Sequence, residues 1–112
     1  MIKSVAAQQC IYRIEAPQDL IGYVAVSKCG RDKGKPGIII GWQNDLYALI
    51  SDGKLRTLAK PKKKNMKHLI FTNYRPGGIR EKLLAGGYVT DRMINEGVAA
   101  FSGMTGEGRQ YG

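Results

Sequence analysis

The chain has 112 residues, 43% of them hydrophobic. That is enough for one modest core, too little for two, and too apolar for a disordered chain. Lys and Arg total 18 against 9 Asp and Glu, a formal net charge of +9, and such a field repels itself unless phosphates relieve it, which points to a polyanionic partner, with an acidic protein or an anionic membrane surface as open alternatives.

Residues 1–20 read as an N-terminal extension, in which Ile11, Tyr12, Arg13 and Ile14 suit a short strand that Pro17 ends. Gly22 to Lys28 alternates, with Val24 and Val26 on one face and Tyr23, Ala25 and Ser27 on the other. This period of two predicts a strand. Residues 29–36 hold two glycines, a proline and an Asp, which make a turn by backbone chemistry. Gly37 to Trp42 is short and β-branched, so it predicts a strand buried on both faces. Gln43 to Asp45 is a tight turn, and Leu46 to Ser51 a third strand. Asp52-Gly53 is a strong hairpin signal, which predicts a fourth strand over Lys54 to Leu58, stopped by Pro61. After the Lys62-Lys63-Lys64-Asn65 run, Met66 to Thr72 reads as a fifth.

Short strands joined by short turns describe a small antiparallel barrel or sandwich over 21–72, not a βαβ sheet. Arg75-Pro-Gly-Gly78 breaks that texture. Ile79, Leu83 and Leu84 then fall at helical spacing, with Gly86-Gly87 as a C-terminal stop. Thr90 is a candidate N-cap, Asp91 suits the first turn, and Ile94, Val98 and Phe101 share one stripe. Residues 77–102 are therefore expected to be a helical segment that packs on the barrel, with a partner-docking helix as the alternative. Residues 103–112 are Gly-rich and read as a flexible tail. The expected fold class is mostly β, a small barrel followed by two short helices.

Candidate catalytic chemistry is sparse. Cys10 and Cys29 are too few for a disulfide framework or a zinc site, and the lone His68 reads as a surface or strand residue. Cys29 reads as a small buried hydrophobe before it reads as a reactive thiol. The sequence shows no paired carboxylates, no Gly-Lys-Ser/Thr phosphate loop and no nucleophile–base pairing. The expectation is a non-enzyme with no metal, no cofactor and no small-molecule substrate. No apolar run approaches the roughly 20 residues of a bilayer span, and Met1 to Cys10 has no secretory signal. A cytoplasmic location with no membrane partner is expected.

The charge excess sits in the middle third. Residues 1–27 are net zero, 28–67 carry eleven bases and three acids for +8, and 68–112 are net +1. Two clusters hold the bases: Lys28, Arg31, Lys33 and Lys35, then Lys54, Arg56, Lys60, Lys62, Lys63, Lys64 and Lys67. One isolated Lys run reads as a solvated face, whereas two clusters within forty residues point to a binding surface. Lysines suit phosphates as point charges, and Arg31 and Arg56 offer planar forks. Asp32 is expected to cap its loop or balance Arg31. The three acids sit in turns and can point away from the bases. Trp42, Tyr23 and Tyr47 are expected in the core or at its edge before they are expected to stack on bases.

The segment from Gly22 to Ile40, Gly-Tyr-Val-Ala-Val-Ser-Lys-Cys-Gly-Arg-Asp-Lys-Gly-Lys-Pro-Gly-Ile-Ile-Ile, resembles a KOW motif: a strand, a basic glycine-containing loop and a second strand. Gly34 matches the characteristic glycine, where φ > 0 and close backbone approach are needed. Its continuation through Ser51-Asp-Gly-Lys-Leu-Arg56 and Lys60-Pro-Lys-Lys-Lys-Asn-Met-Lys-His-Leu69 looks like a bacterial family of small KOW-domain RNA-binding proteins. That family is related to KOW-containing large-subunit ribosomal proteins of eukaryotes and archaea. The likeness covers about residues 20–70. Two features depart from it, a longer N-terminus and Cys29 in place of a small residue. The resemblance implies an SH3-like barrel that binds structured RNA, ribosomal RNA or the large ribosomal subunit, with Gly34 and the eleven bases as the contact set. Because phosphate contacts carry little sequence information, it also implies recognition of RNA shape. The alternative is a KOW module that docks proteins of the transcription or translation machinery, and a third reading is a nonspecific DNA binder.

Overall fold

The computed structural model describes residues 20–105. Five strands, β1 (Val24–Ser27), β2 (Pro36–Gln43), β3 (Tyr47–Ser51), β4 (Lys62–Asn65) and β5 (Leu69–Phe71), form one antiparallel sheet in the order β4-β3-β2-β1-β5. Two helices follow, α1 (Ile79–Ala85) and α2 (Asp91–Thr105). The fold is mostly β with a helical C-terminal part, as expected. The short strand expected over Ile11 to Ile14 lies outside the described residues. Helix α2 runs to Thr105, three residues into the stretch expected as a tail; 106–112 lie outside the described residues.

The sheet cannot be flat. Strands β4 and β5 are its two edges, and four strand spacings of about 4.8 Å would separate them by ~19 Å. Only one turn of 3-10 helix, Met66–His68, joins them. From Asn65 to Leu69 is four peptide steps, which reach at most about 14 Å. The sheet therefore rolls. An extra residue, Ile40, bulges β2 between its pairings with β1 and the far half of β3, and a bulge bends a strand. The first half of β2 pairs with β1 and most of its length with β3. The 3-10 turn crosses the roll: Met66 N–H donates to the Leu46 carbonyl at 2.8 Å, and the His68 carbonyl accepts from Lys28 N–H at 2.8 Å. No ladder joins β4 to β5, so the sheet stays open.

The roll gives β1 and β2 two buried faces, which is why Ile38 and Ile39 are both fully buried. On the inner face Ala25, Ile39, Ala48, Leu69 and Phe71 pack together, with Trp42 and Met66 against them. On the outer face Val24, Val26 and Ile38 meet Ile79 of α1 and Ile94 and Phe101 of α2. Each such aliphatic side chain contributes about 1.5–3 kcal/mol on burial. The predicted helical stripe is thus the face that covers the sheet. Thr90 Oγ1 accepts from Met93 N–H at 3.1 Å, and Gly86 closes α1 in the left-handed conformation, so both predicted helix signals operate.

One expected element is absent. Lys54 to Leu58 is not a strand, and Asp52-Gly53 does not turn a two-residue hairpin; residues 52–61 form a loop. Side chains satisfy the backbone groups that a ladder would have used. Asp52 Oδ1 accepts from the N–H groups of Lys54 (2.8 Å) and Arg56 (2.9 Å), and Asp91 Oδ1, from the start of α2, accepts from Leu58 N–H at 2.7 Å. The fourth strand is instead the lysine run, Lys62–Asn65, paired to β3.

Gly53 is the point where this loop meets α2. Its φ is +79, and a Cβ there would strike the Asp91 carbonyl oxygen and lie 2.7 Å from the Asn95 nitrogen. Gly53→Ala should therefore cost more than the ~1–3 kcal/mol of a strained backbone position alone. Urea unfolding measures this, and a midpoint at the wild-type value would mean that the loop does not rest on α2.

Candidate functional site

In an antiparallel meander the first and third connections lie at the same end of the sheet. Here these are the β1–β2 loop (28–35) and the β3–β4 loop (52–61), which together carry seven of the eleven bases of residues 28–67. The rolled sheet sets them beside each other. Between them opens a cleft of about 40 Å³, lined by Ser27, Asp32, Lys35, Pro36, Ile50, Asp52, Leu55, Arg56, Lys62 and Lys64. That is far below the roughly 300 Å³ or more of a small-molecule pocket. It admits one small polar group, and four basic side chains border it.

Strand alternation decides which lysines reach the cleft. Lys62 pairs with Ile50 and Lys64 with Ala48, so both project on the inner face. Lys64 Nζ donates to the Cys29 carbonyl at 3.2 Å and so passes beneath the first turn of the basic loop. Lys63 pairs with Leu49 and projects on the opposite face, where its ammonium lies 4.9 Å from the Tyr47 ring centre. The run Lys62-Lys63-Lys64 is thus one strand with two faces, not a single patch.

Lys35, exposed on the first loop, borders the cleft, and the remaining candidates surround it without joining it. Arg31 and Lys33 are exposed on the first loop, and Lys54 and Lys60 on the second. Lys67 is exposed on the 3-10 turn, and Lys28 is half-buried where β1 leads into the loop. Gly34 has φ +83, as the motif requires, and its N–H donates to the Ser27 carbonyl at 2.9 Å. Cys29 is exposed rather than buried.

The acids depart from expectation. Asp32 does not pair with Arg31: its Oδ2 faces Arg56 Nη2 at 3.9 Å, across the cleft. Asp52 also borders the cleft, with its carboxylate engaged by the loop backbone. Of the three acids only Asp45, in the turn between β2 and β3, sits at the other end of the sheet.

Three features were not legible in the chain. Leu55, 77% exposed, stands at the tip of the second loop between two bases. Tyr23 has two guanidinium groups over its ring, with Arg75 Cζ 6.0 Å and Arg80 Cζ 5.5 Å from its ring centre. Arg80 Nη1 also donates to the Ile21 carbonyl at 2.8 Å, which ties α1 to the start of β1. No local pattern announces contacts over such separations. Trp42 packs at the inner core's edge, as expected, with its Nε1–H buried and unpartnered among the described residues.

Comparison with models of known protein families and with curated proteins finds no match to this chain. The KOW likeness therefore rests on the quoted residues themselves.

Gly34→Val should destabilise the protein by about 1–3 kcal/mol, because a β-branched residue resists positive φ. Thermal unfolding with an amide spectrum of the first loop checks this. A wild-type melt with unmoved loop resonances would mean that the loop does not need its glycine.

Proposed function

We propose that this protein binds structured RNA as a ribosomal or ribosome-associated protein of the cytoplasm, through the basic end of an SH3-like barrel. The observation that carries the reading is the meeting of two basic loops and alternate lysines of β4 around one cleft. The barrel assignment draws support from the rolled five-stranded sheet, its bulged β2 and the short turn that links its edges. Lysine-dominated surfaces hold phosphates and read shape more than sequence, which suits folded RNA. A protein-docking module would rely on apolar area instead.

Salt separates the two. If four to six of the eleven bases meet phosphates, log K should fall with log salt at a slope of about −3 to −5. The Lys62→Ala/Lys64→Ala pair should flatten that slope by about 2, one per lost contact, while Lys63→Ala changes it little. Filter binding of a ribosomal RNA hairpin across a salt series measures both. A slope near zero would overturn the RNA reading in favour of protein docking. Equal affinity for duplex DNA would remove the RNA preference.

A further inference from the structure

We propose that the cleft seats a single phosphate group, of the kind an RNA backbone presents, and that Asp32 is a built-in competitor that holds Arg56 until the phosphate replaces it. This deepens the RNA-binding reading and rests on it.

Arg56 is anchored by its backbone and loose at its tip. Its carbonyl accepts from Ser51 Oγ at 2.7 Å and from the N–H groups of Asp52 (2.9 Å) and Gly53 (3.1 Å). Its own N–H donates to Asp52 Oδ1. Ser51 is fully buried, so this anchor belongs to the core edge. The guanidinium then reaches across the cleft to Asp32 at 3.9 Å, the long end of an ion pair, with side-chain exposures of 43% and 24%. Partly exposed pairs of this kind are weak, whereas a guanidinium forks onto phosphate with two charge-assisted hydrogen bonds.

The two carboxylates at the cleft are not equivalent. Asp52 is committed to two backbone N–H groups, and freeing it would undo the loop. Among the described residues Arg56 is the only side chain that Asp32 pairs with. Asp32 is therefore the replaceable partner. Lys35 closes the same turn, its N–H donating to the Asp32 carbonyl at 2.8 Å, and Lys62 and Lys64 border the cleft from β4. A phosphate that enters gains these amines and the Arg56 fork, and meets two opposing charges, Asp32 and the backbone-bound Asp52, of which only Asp32 can give way. The balance of that exchange sets affinity.

Asp32→Asn removes the competitor, keeps the side-chain shape and makes the protein one unit more positive. Asp45→Asn makes the same change of net charge at the opposite end of the sheet. With a ribosomal RNA hairpin at low salt, Asp32→Asn should bind about three- to tenfold more tightly and Asp45→Asn less than twofold. In a second arm, inorganic phosphate is titrated into the wild-type protein with amide and Arg Nε–H resonances observed. Arg56 and the amides of residues 32–35 should move first, and at lower phosphate in Asp32→Asn. An equal gain from both variants would overturn the seat, leaving net charge alone, while RNA binding stands. Uniform or absent phosphate shifts would overturn it as well. Localised phosphate shifts in a protein that binds no RNA would support the seat and sink the RNA reading. Overlaid amide spectra of the Asp32→Asn and wild-type proteins confirm that the variant folds.

Discussion

Met66–His68 is a single helical turn, yet it connects strands that stand at opposite edges of a five-stranded sheet. Chain reach forbids that in a flat sheet, so the roll is a covalent requirement before it is a packing preference. Much of the rest follows. A rolled sheet has an inside and an outside, and both need apolar cover. The inside takes Ala25, Ile39, Ala48, Leu69 and Phe71. The outside takes the two helices through Ile79, Ile94 and Phe101. The central strands are consequently buried on both faces, although the whole domain is small.

The roll also governs the polar end. It sets the β1–β2 and β3–β4 loops beside each other and swings Lys64 beneath the first of them. Positive charge concentrated there opposes folding, and the protein answers with local polar bonds. Asp52 ties down the second loop, Asp91 extends that hold from α2, and Asp32 bridges to Arg56. Two of the three acids in the middle third are thus spent near the bases, and the charge left over is the feature that a polyanion would meet.

What the chain disclosed depended on how local the cause was. β1, β2 and β3 follow from alternation and β-branching, and α1 ends at its glycine as expected. The helical stripe of Ile94, Val98 and Phe101 needed only its spacing. The fourth strand failed because its cause is remote. Lys54 to Leu58 is denied a ladder partly by Asp91, thirty-three residues beyond Leu58. Lys62–Asn65 becomes a strand because β3 offers an edge, against the low strand preference of lysine. The basic clusters were visible as charge, but their meeting was not, since the expected hairpin would have laid the second cluster along a strand. The Asp32–Arg56 pair and the contacts of Arg75 and Arg80 with the Tyr23 ring join distant segments and left no pattern to read.

Lysines on an edge strand have a second physical consequence. Among the described residues β4 presents an unpaired edge, and charged side chains on such an edge oppose pairing with another chain. Edge protection alone would be served by lysines on either face. It would not require Lys64 to bend onto the Cys29 carbonyl, nor Lys62 and Lys64 to share a cleft with Arg56. Lys63, over the Tyr47 ring on the other face, is the residue that edge protection by itself explains. The alternation of one strand thus divides the run by role. Lys63 stands over Tyr47 on one face, whereas Lys62 and Lys64 border the cleft that is proposed to hold a phosphate. Both roles need charge and neither needs apolar contact, so a strand of lysines satisfies the two together without drawing on the core.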